Sequence, residues 1–97
     1  MPGYERAEIS AELTVVPSEH AEKPPREQVE VAKTVAGETG LAHEAGPESL
    51  VLAGGRREVI EATMEVIEAS LDAGASAVEI KVEAEGNTPR FGGETDD

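Results

Sequence analysis

Residues 56–85 read RREVIEATMEVIEASLDAGASAVEIKVEAE, and within them the spacing of apolar side chains changes from a helical period to a strand period. Ile60, Met64, Ile67 and Leu71 recur at intervals of three and four, supported by Val59, Thr63 and Val66, which predicts an amphipathic helix over 56–73. Glu61, Glu65, Glu68 and Asp72 form an acidic stripe on the opposite side. Like charges at such spacings cost a few tenths of a kcal/mol per pair, so the apolar stripe is expected to hold this helix through tertiary packing. Gly74 is the expected stop. Over 77–85 the alternation is strict: Val78, Ile80, Val82 and Ala84 are expected to face a core, and Glu79, Lys81, Glu83 and Glu85 to face outward.

The same two patterns recur earlier in the chain. Residues 8–16 alternate, with Ile9, Ala11, Leu13 and Val15 on one face and Ser10, Glu12 and Thr14 on the other, until Pro17 ends the ladder. The polar loop SEHAEKPP follows, its proline pair suited to a helix entry. Over 26–38, Val29, Ala32, Val35 and Ala36 make a narrow apolar stripe, and Gly40 is the expected C-terminal cap. Two short strands, 41–45 and 49–53, flank the turn residues Gly46-Pro47-Glu48. The order strand, helix, strand, strand, helix, strand predicts an α+β, ferredoxin-like βαββαβ domain. Right-handed crossovers then put both helices on one face of a four-stranded antiparallel sheet of order 4-1-3-2. We expect an N-terminal extension at 1–7, one domain at 8–85 and a flexible acidic tail at 86–97.

Composition narrows the function classes. The 97 residues suffice for one core, burying roughly 60–68% of the chain's surface on folding. There is no cysteine, so no disulfide or thiolate metal site is available. With 21 acidic and 8 basic residues the formal charge is -13, which argues against nucleic acid and anionic membranes as partners. Self-repulsion for solubility, a high-salt habitat or attraction of a cationic ligand would each account for the excess. The opening MPGYERAE lacks a basic stretch followed by an apolar run, and no window approaches a membrane span, so a cytoplasmic protein is expected.

Four stretches together resemble the thiamine-binding protein family of small ferredoxin-like domains: AELTVVP at 11–17, HEAGPESLVLAGG at 43–55, VIEATMEVIEASLDAGA at 59–75 and SAVEIKVEAE at 76–85. The resemblance covers most of 9–85. It differs from the family pattern at Ala53, before Gly54, where many members carry an acidic residue. The resemblance implies a non-catalytic binder of thiamine or its hydroxymethylpyrimidine portion, assembled through its sheets as a homodimer or homotetramer.

Within that reading, Glu12, Thr14 and Lys81, with Glu79 and Glu83, would form a polar floor on the open sheet face for a thiazolium or aminopyrimidine. The plainer reading of the same face is a solvated surface, the ordinary state of such sheets, or an oligomer contact with cross-strand Glu–Lys pairs. Glu48 and Ser49, at the hairpin, lie near the family's pocket region, and His43 could contact a ligand or serve structurally. Gly55, Arg56 and Arg57 open the second helix, where free amides and guanidinium groups could hold a phosphate or carboxylate; pairing of the arginines with nearby glutamates is the plainer reading. No metal-ligand spacing surrounds His20 or His43, and no cofactor is expected. No nucleophile has a base beside it, so no enzyme is expected. An acylphosphatase-like enzyme would need a phosphate-cradling first loop and an arginine–asparagine pair, for which SEHAEKPP is unsuited. The alternative to a ligand-binding domain is a structural or regulatory self-association module.

Overall fold

The structure, a computed structural model, describes residues 7–84, without the side chains of Ala42 and His43. Its elements run β1 (Ile9–Val16), α1 (Pro25–Glu38), β2 (Ala42–Ala45), β3 (Ser49–Gly54), α2 (Arg56–Asp72) and β4 (Ala77–Ala84). The strands form one sheet of order β2-β3-β1-β4, antiparallel at every pairing, as the ferredoxin-like expectation requires. Most of the expected extension at 1–7 and all of the expected tail at 86–97 lie outside the described residues.

β1 is an interior strand, paired with β3 from Ile9 to Thr14 and with β4 along its whole length. Ile9, Ala11, Leu13 and Val15 are buried, while Glu12 between them is exposed. Leu13 stands opposite Leu50 on one side and Ile80 on the other. Leu13, Leu50 and Leu52 are fully buried under the helices, each contributing about 1.5–3 kcal/mol of transfer free energy. Val29, Ala32 and Ala36 of α1 and Val59, Ala62 and Val66 of α2 close the core from above. The alanines let the two helices pack closely on one another and on the sheet.

The turns hold this frame with few side chains. Pro24 and Pro25 start α1, where a missing N–H costs nothing. Buried Gln28 ties down the loop before it: Ser18 N donates to Gln28 Oε1 at 2.9 Å, and Gln28 Nε2 donates to Ser18 O and Lys23 O, each at 2.8 Å. After α2, Gly74 adopts φ 109°, a left-handed value that glycine tolerates, and Ala75 N returns to Ser70 O at 3.0 Å. In the β2–β3 hairpin Gly46 N donates to Ser49 O at 2.8 Å, closing the tight turn expected at Gly46-Pro47-Glu48.

Two expectations about the core need correction. α2 does not bury the stripe Ile60, Met64 and Leu71, which is exposed; its buried residues are Val59, Ala62, Thr63, Val66 and Ser70. Ile67 alone of the expected stripe packs partly against the core. In β4 the register does put Val78, Ile80, Val82 and Ala84 on the helix-side row, opposite Val15, Leu13, Ala11 and Ile9. Yet Ile80 and Val82 remain about half exposed, because β4 is an edge strand and the helices cover the middle of the sheet more than this margin.

Candidate functional site

The open face of the sheet is built by the alternation of three strands. Glu12 stands opposite Lys81 on β4 and Val51 on β3; Thr14 stands opposite Glu79 and Ser49; Ser10 stands opposite Glu83 and Ala53. Directly opposed residues share a face, so this register gathers Ser10, Glu12, Thr14, Ser49, Glu79, Lys81 and Glu83 on the side away from the helices. Lys81 Nζ lies 3.5 Å from Glu83 Oε2, an exposed pair of the kind that contributes little to stability. A solvent-open depression of about 310 Å³ is lined by Glu12, Thr14, Glu79, Ile80 and Lys81. Its carboxylates flank one ammonium and one hydroxyl, so it offers anionic charge plus a hydrogen-bonding group, without an enclosing wall.

The remaining expected site residues go elsewhere. Ser49 belongs to the open-face row, and its hydroxyl lies against Gly46 inside the hairpin turn. Glu48 lines a separate cleft of about 180 Å³ at the end of the sheet where β1 stops. Pro17, Pro25 and Pro47 wall that cleft, with Arg26, Glu30 and Lys33 of α1 beside them. His43 pairs with Leu52, the helix-side row and not the row of Glu12 and Thr14; its side chain lies outside the described residues. The sheet therefore gathers Glu12, Thr14, Ser49 and Lys81 but separates them from Glu48 and from the position of His43.

Gly55, Arg56 and Arg57 sit at the opposite end of β1, at the start of α2. There Arg56 N donates to Glu8 Oε1 at 2.7 Å, so a carboxylate of the chain itself occupies part of the amide cradle considered for an anion. A broad hollow of about 570 Å³ lies beside it, lined by Glu8, Arg56, Arg57, Glu58, Ile60 and Glu61. Three carboxylates against two guanidinium groups make that hollow poorly suited to an anion.

One feature escaped the sequence reading, whereas Glu79, expected on the polar floor, does line the depression opposite Thr14. The Arg26, Glu30 and Lys33 face of α1 carried a signal, helical spacing of charged residues, but nothing in the chain pattern set it against Pro17 and Pro47. Among the described residues no group of three or more His, Asp or Glu side chains is placed to hold a metal ion, and no helix is long and apolar enough to cross a membrane.

Comparison with protein-family models and with curated proteins finds no match. Solved structures do match. The fold is similar to a domain of unknown function, DUF77, from Bacillus cereus, with TM-score 0.68, 24% identity, and 86% of this chain and 81% of that one covered. It is similar to a "putative thiamine biosynthesis/salvage protein" from Thermotoga maritima, with TM-score 0.67, 15% identity and coverage of 86% and 89%. An acylphosphatase from Coxiella burnetii matches over 98% and 99% of the two chains, with TM-score 0.55 and 19% identity. At these identities the likeness establishes the ferredoxin-like fold and nothing finer.

Proposed function

We propose that this chain is a non-catalytic, cytoplasmic binding domain for thiamine or a related pyrimidine or thiazolium compound, working as a homodimer or homotetramer. The observation that carries the reading is the meeting of Glu12, Thr14, Glu79 and Lys81 around one depression on the open sheet face. Carboxylates there would balance a cationic ring, and Thr14 would supply a directional hydrogen bond. The depression lacks walls of its own, so a second sheet laid over it would enclose a ligand, which is why the reading includes an oligomer. The thiamine biosynthesis or salvage role named for the Thermotoga maritima structure supports the ligand class.

A self-association module without a ligand is the second reading. It is favoured by the openness of the depression and by Val51 and Ala53, which share the face with the polar residues. An acylphosphatase-type reaction is less well supported: Gln28 occupies the loop after β1 with its own amide, binding the Ser18 N–H that a phosphate would want.

Thermal denaturation with thiamine and its phosphates tests the proposal. A ligand bound only to the folded state at a hundredfold excess over its Kd adds about 2.7 kcal/mol. In a domain of this size that raises Tm by about 10 °C or more. The Glu12→Ala/Thr14→Ala variant is expected to lose the shift while folding normally. No shift with the wild-type chain at millimolar thiamine overturns the ligand reading, and loss of oligomers in the double variant without any ligand effect favours the second.

A further inference from the structure

The α2 helix carries more apolar surface than the chain's own core takes up. The core receives Val59, Ala62, Thr63, Val66 and Ser70. Ile60, Met64 and Leu71 are 47%, 57% and 50% exposed, and Ile67, between them, packs only partly against the core. These four recur at i, i+4, i+7 and i+11, the spacing of a helix-pairing seam. At about 100° per residue they fill roughly 60° of the helix, between its core-facing arc and its acidic stripe. α1 covers one flank of α2, so the exposed seam lies on the other flank, above the margin of the sheet. There Ile80 and Val82, on the helix-side row of β4, are 41% and 52% exposed. Among the described residues Ile60, Met64, Leu71, Ile80 and Val82 are the large hydrophobic side chains left in solvent.

The charges bordering this groove are of one sign. From Glu58 to Asp72 the helix has five carboxylates and no cationic side chain. Glu61, Glu65, Glu68 and Asp72 are exposed, and among the described residues none of them forms an ion pair. Their mutual repulsion opposes the helix, and cations brought against them would relieve it. A second copy on the same face would set acidic stripe beside acidic stripe and add another formal charge of -13, so charge selects against it.

We propose that the margin formed by α2 and β4 is a docking groove for a cationic amphipathic helix of another protein. The apolar stripe of that helix sits on Ile60, Met64, Leu71, Ile80 and Val82. Lysines or arginines beside the stripe meet Glu61, Glu65, Glu68 and Asp72. Helix-in-groove recognition of this kind uses anchors spaced three and four residues apart. The seam from Ile60 to Leu71 is about 16 Å long, so about three to four turns of the partner suffice. Met64, inside the seam, is unbranched and adapts its shape to the anchor it receives. This groove does not depend on the ligand reading, because the open face lies on the other side of the sheet.

Calorimetric titration with a synthetic peptide of leucine, alanine and lysine tests the groove. The peptide is roughly 18 residues long, with leucines at i, i+4, i+7 and i+11 and lysines on both flanks; a scrambled peptide of the same composition is the reference. At about 0.15 M salt the ordered peptide is expected to bind at least about tenfold tighter than the scrambled one. Ile60→Ser with Met64→Ser should weaken it about tenfold, as should Glu61→Gln with Glu65→Gln. Glu27→Gln with Glu38→Gln, which removes the same charge from α1, should leave the affinity within about twofold. Circular dichroism and a single cooperative unfolding transition check that each variant folds. Equal affinity for both peptides, or equal losses from the α1 and α2 carboxylate variants, reduces the effect to net charge and overturns the proposal. So does light scattering in which Ile60→Ser with Met64→Ser dissociates a wild-type oligomer, because a second copy then holds the face.

Discussion

Replacing Gln28 by alanine tests how the loop between β1 and α1 is held. Gln28 is fully buried and makes three hydrogen bonds, to Ser18 N, Ser18 O and Lys23 O. At a net value of about 1 kcal/mol each, their loss costs about 3 kcal/mol. The shortened side chain regains about 1.5 kcal/mol of rotamer freedom. The void it leaves and the unpaired loop groups add back about 1 kcal/mol, for a net loss of about 2–3 kcal/mol. That is a large share of the roughly 4–12 kcal/mol expected for a domain of this length. Urea denaturation read by circular dichroism should show the midpoint falling at unchanged slope, and Tm falling by about 10–20 °C.

Gln28→Glu sharpens the test because it keeps shape and removes the donor. Its carboxylate would still accept from Ser18 N but would face two carbonyl oxygens, which favours the protonated form in the folded state. The folded pKa is thereby raised above the unfolded value of about 4.3, so the penalty is full at neutral pH and shrinks as pH falls through the folded pKa. The gap between wild type and this variant should therefore narrow on acidification. A loss below about 0.5 kcal/mol in Gln28→Ala, or a gap that widens at acid pH in Gln28→Glu, refutes the role assigned to this side chain.

Two further substitutions probe the frame. At Gly74, φ is 109° and an added Cβ would run into the Cβ of Ala21, whereas at Gly40, φ is 76° and nothing lies within 4 Å of such an atom. Alanine at Gly40 should cost about 1 kcal/mol and at Gly74 about 2–4 kcal/mol; equal losses in urea titrations would show that the contact with Ala21 contributes nothing. Thr63 Oγ1 is buried with no hydrogen-bond partner among the described residues. Thr63→Val should therefore leave stability unchanged or raise it by up to about 1 kcal/mol, and a loss above 1 kcal/mol in the same titration would mean that the hydroxyl has a partner.

The candidate site was legible where it depends on alternation alone. Glu12 and Thr14 share a face because strand side chains repeat every second residue, and Lys81 joins them because the polar row of each strand turns away from the core. Glu48 is expected near a ligand from the family resemblance and His43 from its place in a strand, but the hairpin turns Glu48 toward α1, and the ladder sets His43 in Leu52's row. The cradle at Arg56 looked open until the fold brought Glu8, distant in sequence, to its amide. Buried Gln28 carried no signal, since a polar residue in a helical pattern is ordinarily read as surface.

By itself the sequence determined the six elements, their order and the row on which each strand residue lies, because these follow from local periods and from turn residues at fixed places. Which part of an apolar surface is buried was decided only in three dimensions. The α2 helix has apolar residues enough for two contacts, and β4 has an apolar row like that of β1. Periodicity reports that such side chains avoid water but not how far the neighbouring layer reaches. The helices settle over β1 and β3, burying Leu13 and Leu52 and leaving Ile60, Met64, Leu71, Ile80 and Val82 in solvent, because β4 stands at the sheet's margin.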